Sequence, residues 1–258
     1  MEQNVEARPQ SVLVIDVGGA HVKVKCSTAD GRRKAASGPD LTADMMVSAV
    51  RAMTQDWAYD AVTIGCPTVV THGKIALEPT NLGPGWVGYD FAQAFGKPVK
   101  IINDAAMQAL GSYEGGVMLF LGLGTGLGSA LVVNGVVQPL ELGPMPFRRG
   151  RTCEDYVGSR GLARLGKKRW RRVVAELVEQ FAAALLPDYI VIGGGNARRL
   201  AALPLRCRLG DNALAFAGGF RLWSGEQFYD PAQVVVPIAA GPGAAAPPGD
   251  LAQHPGGA

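Results

Sequence analysis

Cysteine is scarce and scattered in this chain of 258 residues: four, at positions 26, 66, 153 and 207, with no C-x-x-C pair and no cluster of nearby histidines. That spacing signals neither a disulfide framework nor a structural zinc site, so free, buried thiols are expected. The first residues, MEQNVEARPQ, lack the basic start, apolar run and small-residue cleavage site of a secretory signal, which points to a cytoplasmic protein. No uninterrupted membrane-length apolar segment stands out either. Val117–Val133 is uncharged, but glycines at 122, 124, 126 and 128 interrupt its middle, and its halves VMLFL and SALVV read as two strands joined by a glycine loop.

What is present is a globular composition, 48% hydrophobic and 18% charged, with 35 glycines, long enough for one substantial core or two modest α/β domains. Ser11–Ile15 is a short apolar strand stopping at Asp16; Gly18-Gly19 turn the chain, and His21–Cys26 returns with period-two alternation, making a hairpin. Thr42 caps a helix whose Met45, Met46, Ala49, Val50, Met53 and Trp57 recur near the 3.6-residue period and read as core. Ala61–Ile64 is a strand, a strand pair surrounds His72-Gly73, and Asn81–Trp86 is a Gly/Pro-rich loop suited to a substrate lip. After a short helix (90–95), the strand Val99–Ile102 delivers Asn103 and Asp104 to the start of another helix. Asn134-Gly135 between β-branched pairs is a hairpin signal. Lys167–Leu186 is a long amphipathic helix ended by Pro187, Tyr189–Ile192 is a buried strand, and Gly193–Gly195 leads into a helix opening at Asn196. A last helix is expected over 211–222, and the Ala/Pro/Gly-rich tail 236–258 is expected to be disordered.

Three features carry chemistry. Phosphate oxygens need converging backbone N–H groups, which glycine turns present without side-chain obstruction; Gly18-Gly19 and Gly124-Thr125-Gly126 are two such turns. Beside the first, Asp16 is placed to hold Mg²⁺, directly or through water, and Lys23 to face phosphates as a point charge. Alone, Asp16-Val-Gly-Gly reads equally well as a tight hairpin. Asp104 sits where an acid is commonly an ordinary helix cap, yet a kinase also needs a positioned carboxylate to accept a hydroxyl proton. Glu141, after the second glycine hairpin, can accept hydrogen bonds from two sugar hydroxyls.

These residues, as D-V-G-G-A-H-V-K (16–23), I-N-D-A (102–105), L-G-T-G-L-G-S-A (123–130), E-L-G (141–143) and I-G-G-G (192–195), resemble the ROK sugar kinases, with most likeness to the polyphosphate glucokinase branch. The resemblance covers about residues 11 to 223. It implies an actin-like ATPase (ribonuclease H-like) α/β fold with two similar domains around a cleft: 11–103, completed by helix 211–222, and 104–210, preceded by a flexible segment 1–10. It further implies Asp104 as general base, Asn103, Glu141 and Asn81 as sugar contacts, both glycine turns on phosphates, and Gly193, Gly194 and Gly195 beside a nucleoside. The implied reaction is Mg²⁺-dependent phosphoryl transfer from ATP or inorganic polyphosphate to a hexose, glucose at its 6-hydroxyl in the family. The chain departs from the pattern at Ala20, Thr68 and Pro144, where the family has Thr or Ser, Gly, and His; the family's zinc cysteines are also missing, so no zinc is expected.

Ten of the 25 Lys and Arg residues fall between Arg148 and Arg172, against only Glu154 and Asp155. Such a run is usually a solvated helix face; the alternative is a track for an anionic chain such as polyphosphate. Few aromatics accompany it, so nucleic acid is not expected as a partner, and no membrane partner is expected either. Two readings of other classes compete with the kinase. A ROK-type repressor is discarded, because only about ten residues precede the first strand; a degenerate member that binds sugar or nucleotide without turnover is kept as the alternative on account of Ala20 and Pro144. A dinucleotide-binding loop fails on spacing at Gly122–Gly128 and on the strand that follows. Which hexose, which donor, and whether the chain is a monomer or a homodimer stay open at this level.

Overall fold

The computed structural model describes residues 9–224; the tail 236–258 and nearly all of the segment 1–10 lie outside the described residues. In chain order the elements are β1 (Val12–Val17), β2 (His21–Cys26), β3 (Arg33–Ala36), α1 (Ala43–Met53), β4 (Ala61–Cys66), β5 (Val70–Thr71), β6 (Lys74–Ile75), α2 (Phe91–Phe95), β7 (Val99–Asn103) and α3 (Asp104–Ser112). They continue as β8 (Val117–Leu123), β9 (Leu127–Val133), β10 (Val136–Leu140), β11 (Pro146–Arg148), β12 (Arg151–Thr152), α4 (Cys153–Val157), α5 (Ser159–Leu185), β13 (Tyr189–Gly193), β14 (Cys207–Leu209) and α6 (Leu214–Arg221).

Two five-stranded sheets repeat one plan, with orders β3-β2-β1-β4-β7 and β10-β9-β8-β13-β14. In the first, β1, β2 and β3 form an antiparallel meander, and β4 and β7 add in parallel on the other side of β1. In the second, β8, β9 and β10 form the meander, and β13 and β14 add in parallel beside β8. The two glycine-turned hairpins thus occupy equivalent places in two similar units.

The strands read as nearly continuous apolar runs because both of their faces are covered. Successive side chains point to opposite faces, so Leu13 and Ile15 join a core with α1 and α2 while Val12 and Val14 join a second core with α3 and α6. The same alternation sends Met118 and Phe120 to that second core and Leu119, Leu121 and Leu123 to a third, against α4 and α5. The layers are therefore α1/α2, first sheet, α3/α6, second sheet, α4/α5. Contact between α3 and α6 is close enough that a Cβ on Gly111 would lie 1.7 Å from the Leu214 carbonyl oxygen and one on Gly218 1.8 Å from that of Met107. Helix α6 also lies on the first sheet, where the Thr63 hydroxyl donates to Gly219 O (2.9 Å) and accepts from Trp223 Nε1 (2.9 Å).

Several local expectations need correction. Met45 is 52% exposed; in α1 the buried face runs through Met46, Val47 and Val50, and Met45 falls one residue, about 100°, off it. The long helix begins at Ser159 rather than Lys167, but Gly166 (φ 70°, ψ 159°) breaks it, so the regular stretch does start at Lys167. On that stretch Trp170, Val173, Val174, Leu177, Val178 and Phe181 are buried, each contributing roughly 1.5–3 kcal/mol for a large apolar side chain. Asn196 opens only a single 3₁₀ turn (Ala197–Arg199), without a side-chain cap bond, instead of a helix. The last helix is shorter than 211–222, and β4 runs two residues past Ile64 to Cys66.

Candidate active site

Parallel strands align their carboxyl ends, and the register here puts Asp16 opposite Gly65, and Gly65 opposite Ile102. Asp16 on β1 and the junction of β7 with α3 therefore come out on one rim of the first sheet. The Gly124–Gly126 turn of β8–β9 meets this rim across a cleft of about 660 Å³. Of the sequence-predicted residues, Gly18, Gly19, Asn81, Asp104, Gly124, Thr125, Gly126, Glu141 and Gly194 all line it.

Asn103 ends its strand in extended conformation and caps α3: its Oδ1 accepts from Ala106 N–H (3.1 Å), and its Nδ2 donates to Thr68 O (3.1 Å). Both ends of the amide make bonds within the protein, and these bonds fix the start of α3. Asp104 is the first residue of that helix, with its Oδ1 accepting from Ala105 N–H (2.8 Å). Burial, then the negative charge of Asp16, push the Asp104 carboxyl up to about 6 from its ordinary 3.8; Glu141 adds to the effect and the Ala105 hydrogen bond opposes it. A carboxylate in this range is ionised at neutral pH and still basic enough to take a proton.

Glu141 is raised as well, by desolvation among neighbouring protein atoms and then by the charge of Glu154, although the open cleft leaves its side chain accessible to solvent. Glu154 is a cleft residue that the sequence reading treated only as part of a charge count. It sits in the first turn of α4, which the reciprocal Thr152–Asp155 capping box starts, and its carboxylate lies against Gly126 and Gly143. The T-x-x-D pattern ahead of a short apolar turn was the available signal. Gln108, one turn along α3 from Asp104, also lines the cleft and donates to Asn212 Oδ1 (2.9 Å).

The second glycine turn is held from outside. Gly124 O accepts from Ser159 N–H (3.0 Å), Ser159 Oγ (3.0 Å) and Asn196 Nδ2 (3.0 Å), while Asn196 N–H donates to Leu123 O (2.9 Å). A Cβ added to Gly124 would meet no atom within 4 Å, so this backbone faces open cleft. Gly194 is different: its φ is 82°, and a Cβ there would lie 2.4 Å from Leu123 O. It sits where β13 leaves the sheet, letting the loop cross the glycine turn.

Asp16 and Lys23 are directly opposite each other in the β1–β2 hairpin and form an ion pair at 2.8 Å. Lys23 lines two neighbouring hollows, one with Gly18, Gly19, Asn81 and Thr125, the other of about 730 Å³ with Arg32, Gly194, Gly195, Arg198 and Asn212. Gly193 is within β13 and lines none of these, being packed against Phe120 and Gln108. In the predicted lip, Trp86 is fully buried with Nε1 donating to Leu41 O (3.2 Å), and Glu78 accepts from Trp86 N–H (3.0 Å) and Val87 N–H (3.2 Å). The lip is anchored by Trp86 and presents Asn81. Pro144 and Thr68, two of the departures from the family pattern, both line the cleft. Among the described residues no group of three or more His, Cys, Asp or Glu gathers to hold a metal ion, and no helix is long and apolar enough to cross a membrane. The four cysteines are free, with Cys26, Cys66 and Cys153 buried.

Two similar α/β units with paired glycine turns facing an acidic cleft define a protein of the actin-like ATPase fold. The sequence model of the ROK family matches residues 12–139, just under half of the chain. It is 29% identical over 148 residues to polyphosphate glucokinase of Mycobacterium tuberculosis (strain CDC 1551 / Oshkosh), covering 52% of this chain and 55% of the relative. It is 29% identical over 242 residues to the bifunctional enzyme NanE/NanK of Brucella melitensis biotype 1, covering 73% of this chain and 46% of that enzyme. The chain thus spans about half the length of the curated relatives it matches. The crystal structure of inorganic polyphosphate/ATP-glucomannokinase from Arthrobacter sp. strain KM shares the fold, with TM-score 0.71 at 21% identity over 84% of this chain and 98% of that one.

Proposed function

We propose that this protein is a sugar kinase that transfers the terminal phosphoryl group of ATP or inorganic polyphosphate to a hexose hydroxyl, the 6-hydroxyl of glucose being the leading acceptor. The observation that carries the reading is the placement of Asp104, raised to about 6, on the wall of a cleft bounded by both glycine turns. The acceptor hexose lies against Asp104, Glu141 and Glu154, with Asn81 reaching in from the lip; carboxylates accept from pairs of sugar hydroxyls. The donor lies along Gly18-Gly19 and Gly124–Gly126. Its bridging side extends toward the hollow of Lys23, Arg32 and Arg198, where the cations offset phosphate charge.

In the transfer, the acceptor oxygen bonds to the terminal phosphorus as the bond from phosphorus to the donor's bridging oxygen breaks. The hydroxyl proton passes to Asp104, and the bridging oxygen leaves with the shortened donor. Phosphoryl transfer through a loose transition state depends chiefly on alignment, which the Ser159 and Asn196 bonds to the glycine turn provide.

Mg²⁺ fits here in one way. Asp16 is a lone carboxylate already paired with Lys23, a donor set that suits a cation held mostly by phosphate and water oxygens and not an all-protein cage. When bound it would neutralise donor charge. Binding without turnover gains no support from the relatives, so the alternative is set aside.

The division into units 11–103 with α6, and 104–210, belongs to the same proposal, the cleft closing between them on substrate to exclude water. The test is a grid of hexoses against ATP and polyphosphate with Mg²⁺, and Asp104→Asn alongside. Sugar phosphate should form with at least one pair and be lost in the variant while sugar binding persists; turnover retained in the variant would remove Asp104 as the base.

A further inference from the structure

The basic run between Arg148 and Arg172 does not spread along one solvated helix face. Six of its ten basic residues, Arg148, Arg149, Arg151, Arg164, Arg169 and Arg172, line a hollow of about 800 Å³ between the β11–β12 hairpin and α5, against a single carboxylate, Glu176. Helical spacing brings Arg169, Arg172, Val173 and Glu176 to one side of α5, Leu165 joins them from before the Gly166 break, and the hairpin supplies the opposing wall. Arg148 pairs with Glu176, and Arg164 donates to Asp155 O (2.9 Å). The side chains of Arg149, Arg169 and Arg172 make no hydrogen bond or ion pair among the described residues. Converging guanidinium groups repel one another unless an anion lies between them.

The backbone adds an independent observation. The two-residue turns of the β9–β10 and β11–β12 hairpins have matching conformations, Asn134-Gly135 at φ 49° and 86°, and Arg149-Gly150 at φ 50° and 68°. Asn is a residue that tolerates the left-handed region; Arg is not, yet Arg149 occupies it and its side chain lines the hollow. Strain of this kind concentrates where a side chain is needed for binding.

We propose that this pocket is a second anion site, separate from the cleft, that takes an inorganic oligophosphate. Arginine forks match phosphate oxygens in pairs, and arginines supply every cation of the lining. A base finds no platform there. Tyr156 is only 9% exposed, with the Arg164 guanidinium 5.0 Å over its ring and Phe147 edge-on at 5.1 Å. Trp170 is fully buried, its Nε1 donating to Val157 O (2.8 Å). Nucleic-acid sites without base pairing rely on exposed rings for stacking, and the two aromatic residues of this segment are both committed to the core. The pocket adjoins the cleft through α4, which presents Glu154 to the cleft and Tyr156 to the arginines.

The test is calorimetric titration of the full chain with inorganic tripolyphosphate, without sugar, for the native sequence, for Arg169→Ala/Arg172→Ala, and for Gly124→Ala as the cleft-directed control. Both arginines are exposed, so the double variant should fold with an unlowered thermal midpoint. Its tripolyphosphate affinity should fall by roughly tenfold or more as charge-assisted contacts are lost, while Gly124→Ala keeps this binding class. Affinity should also weaken steeply with added salt. Unchanged affinity in the folded double variant would overturn the proposal. So would a single-stranded oligonucleotide that binds more tightly than tripolyphosphate and is lost with the same substitutions, which would assign the pocket to nucleic acid. Because sugar is absent, a failure of the kinase reading would leave this result interpretable.

Discussion

Asp104→Asn should stabilise the fold while abolishing turnover, and the two effects share one cause. In the native protein the carboxyl ionises at about 6 against an ordinary 3.8. Between those values the folded chain holds a proton that the unfolded chain has released, so stability falls as pH rises from about 4 to about 6 and stays at the lower level above. The difference corresponds to roughly 3 kcal/mol at neutral pH. Asparagine keeps an oxygen to accept from Ala105 N–H and carries no charge beside Asp16. The variant should therefore be more stable by about 3 kcal/mol at pH 7.5, or on the order of 6–12 °C in thermal midpoint for a chain of this size, and by only about 1 kcal/mol at pH 4.5. Paired thermal melts at the two pH values read this directly, beside a coupled assay in which turnover drops by roughly 10²–10⁴-fold. On the proposed kinase reading, kcat/KM of the native protein should decline below about pH 6 as the base becomes protonated. A variant no more stable than the native protein at pH 7.5, or with an advantage that does not shrink at pH 4.5, would refute the reasoning.

Five other substitutions separate space, support and charge. Gly124→Ala should fold normally, since its Cβ meets nothing, but raise the donor KM with little change for sugar; Gly194→Ala should lower thermal stability by about 1–2 kcal/mol or more, because its φ of 82° and the nearby Leu123 backbone exclude a side chain. Ser159→Ala and Asn196→Ala each remove a bond to Gly124 O, and steady-state kinetics should show a higher donor KM and lower kcat, with about 1 kcal/mol of stability lost. Glu154→Gln should weaken sugar binding by roughly 1.5–3 kcal/mol, and, by removing the charge that helps raise Glu141, shift the acid limb of sugar affinity to lower pH, as calorimetry across pH would record.

Most local structure was legible because it is governed by short-range rules. Period-two alternation marked β2, Asn134-Gly135 marked the β9–β10 hairpin, and Thr42 marked a helix start that the structure caps with that side chain; at the start of α3 the cap is Asn103, not Asp104. Errors arose where distant packing decides. Met45 and Met46 are chemically alike, and only the position of the first sheet selects which is buried. Asn196 follows a glycine-rich strand end as a helix cap would, but its side chain is drawn to Gly124, 72 residues away, and no helix forms. The T-x-x-D pattern announces only the helix that carries Glu154; the cleft positions of Glu154 and Ser159 depend on Gly126, Gly143 and Gly124, which are not beside them in sequence.

By itself the sequence determined which backbone turns carry no side chain, which strand ends in an acid, and that ten basic residues cluster in one segment; these are matters of composition and spacing. Tertiary structure alone decided that burial, and then Asp16 from another strand, push Asp104 up, that Asn103 caps α3, and that six arginines line one hollow. The physical reason is that desolvation and Coulomb interaction act through space over a few ångströms, and the layering of two sheets around α3 and α6 sets those distances.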